Sequence, residues 1–175
     1  DINNFVASLK KVLKKDGTIT IEFPHLLSLI EKNEFDTIYH EHFFYYSLHS
    51  IINIFKKYKL KIWKVEKIPT HGGSLRIYAC HLSHSTKIQK SVKDILDKEK
   101  KNGLKNRDTY EKFQNKIELN KFNTLKSINE YFKKGKNVYG FGAAAKSITI
   151  INFLGIKKEF IKAIFDNSPA KIGKY

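Results

Sequence analysis

The sequence predicts an α/β protein made of two partial sheet-and-helix units with a helical bridge between them. Three observations carry that prediction. Residues 2–23 read as helix, glycine turn and strand, and residues 136–166 as strand, glycine turn, helix and strand. Between them, from about Thr86 to Lys134, apolar residues recur at helical spacing in a highly charged background.

Taken in order, Phe5, Leu9, Val12 and Leu13 share one helical face. Asp16-Gly17 is expected to end that helix, with Gly17 in the left-handed cap. Thr18 to Phe23 alternates and is β-branched, which predicts a strand closed by Pro24. Helix, turn and strand make half of an α/β unit, so the chain is expected to enter in the middle of a parallel-sheet domain. Leu26 to Ile30 predicts a short helix, and Ser47 is placed to cap another whose Leu48, Ile51, Ile52 and Phe55 share a face. Leu60 to Ile68 and Ser74 to Leu82 predict strands around Pro69-Thr70-His71-Gly72-Gly73. Ile88, Val92 and Ile95, then Phe113, Ile117, Leu125, Ile128 and Phe132, mark two bridge helices separated by Asn102-Gly103. Lys136 to Gly142, Ala143 to Leu154 and Ile161 to Asp166 form a βαβ unit with an acidic residue ending its second strand, the Rossmann arrangement. The expected segments are residues 1–84, 85–134 and 135–175.

Composition narrows the function classes. Hydrophobic residues make up 41% and aromatics 13%, enough to bury cores. No apolar run approaches a membrane span, so no membrane partner is expected. The single cysteine, Cys80, excludes an internal disulfide framework and a multi-cysteine zinc site in these residues, and a cytoplasmic location is the default expectation. The formal net charge is +16, yet 31 of the 33 basic residues are Lys, and only Arg76 and Arg107 are Arg. Lysines spread along the whole chain do not make the arginine-led stripe of a nucleic-acid reader, so no nucleic-acid partner is expected. Positive potential does suit a nucleotide diphosphate.

Chemistry concentrates in Phe35-Asp36-Thr37-Ile38-Tyr39-His40-Glu41-His42-Phe43-Phe44-Tyr45-Tyr46-Ser47. Two imidazoles, two carboxylates and three phenols beside apolar rings suit the wall of a pocket that keeps a general base near neutral pKa. His42 is the candidate base, Glu41 can orient it or accept from a hydroxyl, and Tyr39 can donate toward developing oxygen charge. Consecutive side chains diverge, so His40-Glu41-His42 is not expected to hold a metal. His71, Gly72, Gly73 and Arg76 form a second cluster: either a turn through which backbone and guanidinium meet a substrate, or a tight hairpin with Arg76 in an ion pair. Glu22 and His25 lie at the C-terminal end of a strand, where α/β ligands bind. Gly140 and Gly142 lead into a helix whose first turn carries Lys146, and Asp166 ends the next strand.

Tyr39-His40-Glu41-His42, His71-Gly72-Gly73-Ser74-Leu75-Arg76 and Gly140-Phe141-Gly142-Ala143-Ala144-Ala145-Lys146, in that order, resemble the S-adenosylmethionine-dependent sugar C-methyltransferases. The resemblance covers essentially the whole chain and a middle-to-late part of the family's length. It implies the later part of a Rossmann-like methyltransferase domain, a helical bridge, and the start of a C-terminal Rossmann-like domain that holds the nucleotide of a nucleotide-linked keto-deoxysugar. It implies S-adenosylmethionine as cofactor, and Tyr39, Glu41 and His42 in the active site with His42 as base. His40, His71, Gly72, Gly73, Arg76, Gly140, Gly142 and Lys146 are then expected at the sugar nucleotide, and Glu22 and His25 at the cofactor. The family's glycine-rich cofactor loop, a histidine just upstream, and its cysteine-rich zinc-binding N-terminal domain are not among these residues. Zinc is expected only in such an upstream domain, and the chain is expected to be truncated at both ends.

Two other functions are compatible with parts of the chain. The βαβ unit alone suits an NAD(P)-dependent oxidoreductase of nucleotide sugars, which tight NADH binding in a fluorescence titration would favour. A non-catalytic basic scaffold is the other. The residues do not choose between methylation of carbon and of oxygen, nor do they identify the sugar, carbon, nucleotide or oligomeric state. Calorimetric titration of these 175 residues against the full-length protein is expected to show much weaker S-adenosylmethionine binding, with no turnover.

Overall fold

In the computed structural model, which describes residues 1–171 and 173, Asp1 caps α1 (Ile2–Val12) by accepting the Asn3 N–H at 2.9 Å. The helix ends at Leu13 in extended conformation, earlier than Asp16-Gly17 suggested. Gly17 does not adopt positive φ; its value is space, because a Cβ there would lie 2.9 Å from Leu13 Cδ1. After the turn come β1 (Ile19–Pro24) and α2 (Leu26–Lys32), then, beyond the 33–47 excursion, α3 (Leu48–Lys57) with Ser47 as N-cap.

β2 (Leu60–Ile68) and β3 (Ser74–His81) complete a three-stranded sheet in the order β1-β3-β2. β1 and β2 run the same way, whereas β3 lies between them antiparallel to both. The sheet of the first domain, expected to be parallel, is therefore antiparallel. The reason is the link at residues 69–73, which is long enough for a hairpin and too short for a crossover. Glu22 and Glu66 pair across Arg76, and Ile21 and Val65 across Ile77. Alternation puts Leu75, Ile77 and Ala79 on the core face and Arg76 and Tyr78 on the other. Val6 of α1, with Leu48, Ile51 and Phe55 of α3, packs on that core face.

α4 (Lys90–Lys101) joins the same core through Val92 and Ile95 rather than standing apart in a bridge, while Ile88 precedes it and is exposed. α5 (Arg107–Lys133) follows and buries Ile117; Phe132, expected on a packing face, is half exposed. β4 (Val138–Phe141), α6 (Ala145–Leu154) and β5 (Ile161–Phe165) form the expected parallel βαβ unit. The chain divides into two compact units, Asp1–Lys32 with Phe44–Glu111, and Asn33–Phe43 with Lys112–Tyr175. The 33–43 loop thus groups with the βαβ unit: the Phe35 ring lies 5.0 Å from Phe153 of α6. The expected end of the second domain at Tyr175 lies outside the described residues. Among the described residues, no helix is long and apolar enough to cross a membrane.

Gly73 is the most constrained turn residue, with φ of 132° and Ser28 Oγ and Cβ lying 2.8 and 2.9 Å from where a Cβ would stand. Gly73→Ala is expected to destabilise the first unit by about 2–4 kcal/mol through backbone strain and overpacking, read from the urea midpoint.

Candidate active site

The loop that carries the candidate base is shaped by a short 3-10 turn at Phe35–Thr37. The Thr37 hydroxyl donates to the Glu34 carbonyl at 2.8 Å, and the His42 N–H to the Tyr39 carbonyl at 3.0 Å. This second turn brings the Tyr39 and His42 rings to 4.7 Å between centroids. The Thr37 carbonyl lies 3.0 Å from His42 Nδ1. A carbonyl only accepts, so Nδ1 carries the proton of the neutral ring and Nε2 carries the lone pair. That is the tautomer a general base needs when its remote nitrogen works on substrate. A main-chain contact from Thr37 orients the imidazole through Nδ1. His40 and Glu41 point to solvent, 83% and 66% exposed, with Nε2 and Oε1 4.0 Å apart.

In the first unit, the hairpin turn Thr70–Gly72 places His71 at φ 50°. Glu22 organises this turn: its Oε1 accepts the Thr70 hydroxyl at 2.7 Å and its Oε2 the Arg76 guanidinium at 2.9 Å. These hydrogen bonds, Thr70 first and Arg76 second, hold the Glu22 carboxyl below its ordinary value. Arg76 is therefore in the ion pair rather than open toward a phosphate. Lys32 donates to the Gly72 carbonyl, and the Ser74 hydroxyl to the Thr70 carbonyl at 3.1 Å. His25 is enclosed, 4% exposed, with Nε2 2.8 Å from Glu99 Oε1. Of the two residues expected at S-adenosylmethionine, one is buried and the other has both oxygens engaged. They do not fit a role as direct ligands, and no step through that cofactor is derived from them.

In the second unit, the turn after Gly140 is closed by Asp166. Its Oδ2 accepts the Ala143 N–H at 2.6 Å and its Oδ1 the Ser168 N–H at 2.8 Å, while Lys171 reaches Oδ2 at 3.2 Å and the Ala143 carbonyl at 2.8 Å. Gly140 lets β4 lie against β5, since a Cβ would meet Ile164 Cγ1 at 3.1 Å. The Ser147 hydroxyl donates to the Gly142 carbonyl at 2.6 Å, and Lys146 sits half-buried in the first turn of α6. The acidic residue that a dinucleotide site would turn to ribose is here spent on the turn itself. Among the described residues, no three His, Cys, Asp or Glu side chains cluster as a metal site.

Three contributors are absent from the sequence-based expectation. Thr37 acts through its main chain and leaves no sequence signal. Thr70 acts on Glu22 across the sheet. Glu99 did leave one: it falls on the same helical face as Val92 and Ile95, where a charge is out of place unless it is paired.

The amides of Ser168 and Ala143, and then Lys171, hold the Asp166 carboxyl below its ordinary value. A depressed carboxyl stabilises the fold above its unfolded pKa, and that contribution goes as pH falls through the lower folded pKa. Acidification is thus expected to loosen the 142–145 turn only below the usual aspartate range. Asp166→Asn should remove that acid limb, as read from amide chemical shifts of 142–147 across a pH series.

Residues 69–175 match the family described as C-methyltransferase C-terminal domain. Over 174 residues the chain is 29% identical to C-methyltransferase NovU of Streptomyces niveus; the aligned region covers 99% of this chain and 41% of that protein. The chain thus spans about two fifths of the length of the curated relative it matches. With its family match extending over more than half of its residues, the chain belongs to the C-methyltransferases.

Proposed function

We propose that the protein carrying this chain transfers a methyl group from S-adenosylmethionine to a carbon alpha to a carbonyl of a nucleotide-linked keto-deoxysugar, with His42 as the general base. The observation that carries this reading is the Thr37 carbonyl on His42 Nδ1, which leaves the lone pair of the neutral imidazole on Nε2. His42 Nε2 takes the proton from the carbon acid, and the C–H electron pair moves toward the carbonyl oxygen to give an enolate. Tyr39, its ring tilted against that of the base at 4.7 Å, is assigned to donate a hydrogen bond to that oxygen. S-adenosylmethionine supplies the methyl group, and the residues described here handle the proton.

The nucleotide part of the reading is supported by the βαβ unit, whose α6 begins at a turn of small residues with Lys146 in its first turn. The loop of the candidate base belongs to the same compact unit, with Phe35 on Phe153. The oxidoreductase alternative gains nothing from the geometry, because Asp166 is committed to Ala143 and Ser168.

In the full-length protein, His42→Ala is expected to lower kcat by roughly 10²–10⁴-fold, the span general base catalysis covers. The same substitution should abolish the wash-in of solvent deuterium at the substrate carbon alpha to its carbonyl. Wild-type turnover in His42→Ala would sink the proposal.

A further inference from the structure

We propose that the buried His25–Glu99 pair is a clasp that positions the catalytic loop by locking its two stems together; this rests on the role given to His42 above. Glu99 comes from α4 and is 3% exposed. Its Oε1 accepts the Leu48 N–H at 2.5 Å and faces His25 Nε2 at 2.8 Å, while its Oε2 accepts the His49 N–H at 3.0 Å. The first turn of α3 already has a local cap, since Ser47 Oγ accepts the Ser50 N–H at 3.1 Å. A carboxylate brought from a helix fifty residues away is more than that helix needs to begin.

What the carboxylate adds is a link between two chain segments. His25 and Leu26 open the stem that leads into the loop, and Tyr46 to Leu48 form the stem that leaves it. Backbone joins them through a parallel bridge between His25 and Tyr46, with Leu26 N–H donating to the Tyr46 carbonyl at 3.0 Å. The His25–Glu99–Leu48 bridge joins them a second time, inside the core. The His25 N–H also donates to the Gly73 carbonyl at 3.0 Å, so the hairpin turn is held to the same point. The chain between the stems, Asn33 to Phe43, carries Tyr39, Glu41 and His42. A buried carboxylate with its hydrogen bonds adds little net stability over an apolar group of the same volume, so the effect lies in fixing geometry. Misplacing a reacting group by one ångström costs roughly 10²-fold in rate.

Glu99→Gln cannot accept all three N–H groups, and His25→Leu removes the bridge; His25→Gln keeps an N–H within reach of Glu99. In the full-length protein the first two are expected to lower kcat by about 10²-fold with little change in KM, and His25→Gln to recover most of the loss. Hydrogen–deuterium exchange should quicken across 33–49 while residues 60–81 stay protected. On a His42→Ala background, Glu99→Gln should remove no further turnover, because the clasp acts through the base.

Unchanged exchange across 33–49 overturns the clasp whatever turnover does. A rise in KM at constant kcat, or unfolding of the whole sheet in both Glu99→Gln and His25→Leu, overturns it as well. Should His42→Ala retain activity while exchange rises as expected, the clasp stands and the base assignment falls.

Discussion

A carboxylate taken almost wholly out of water sets the terms for the first unit. Desolvating an ion costs several kcal/mol, and the cost is met only when its lone pairs are filled. Glu99 has two main-chain N–H groups and the His25 imidazole around it. Hydrogen bonds to a charged group contribute about 1.5–3 kcal/mol each, the same order as the penalty, so the net gain in stability is small. The constraint on shape is not small. α4 can dock on β2 and α3 only where Glu99 meets the start of α3, and β1 must end where His25 can reach the same oxygen. Val92 and Ile95 supply the apolar burial, and the carboxylate fixes the register in which they are buried.

The open face of the sheet repeats this logic in a wetter setting. Arg76 lies between Glu22 and Glu66 in the strand register, with Glu22 in direct contact and the Tyr78 hydroxyl and Lys64 on Glu66 at 2.7 Å each. Partly exposed pairs of this kind contribute little to stability. Their effect is to fix direction. Glu22 pins Thr70, which begins the turn whose next three residues, His71 to Gly73, all have positive φ. That run is intrinsically unfavourable for His71 and is held from both sides, by Glu22 through Thr70 and by His25 through Gly73.

The sequence is legible where periodicity and local chemistry decide, and it fades where a distant partner decides. The α-helices and strands are legible from apolar spacing and turn residues, the 3-10 turns at Phe35–Thr37 and Thr70–Gly72 are not, and Ser47 is recognisable as a cap because capping is local. The end of α1 was not, since Leu13 leaves the helix before any residue that breaks it by propensity. α4 looked like part of a bridge because Val92 and Ile95 announce a buried face without saying which surface buries it. The density of proton-carrying groups from Tyr39 to His42 marks the loop as unusual in the sequence. Which atom holds the imidazole was out of reach, since the Thr37 carbonyl is defined by a turn and not by a side chain. The opposite holds for Arg76: both of its alternatives were readable, and the Glu22 partner chose between them.

The strongly positive composition carries a last consequence. Within each unit, cations meet acceptors: Arg76 meets Glu22 and Lys32 the Gly72 carbonyl in the first, and Lys171 meets Asp166 in the second. The +16 charge therefore acts on any anion mainly at long range, raising its local concentration and its rate of encounter in a salt-dependent way. Short-range contact with an anion needs groups that local pairing does not consume, and the start of α6 has N–H groups of that kind. Asp166 takes the Ala143 amide and so sets the course of the turn, while the next amides, at Ala145 and Lys146, open the helix and have no acceptor within it. Long-range attraction by dispersed lysines and short-range donation by main-chain N–H groups are thus separate physical effects, and neither depends on an arginine-lined pocket.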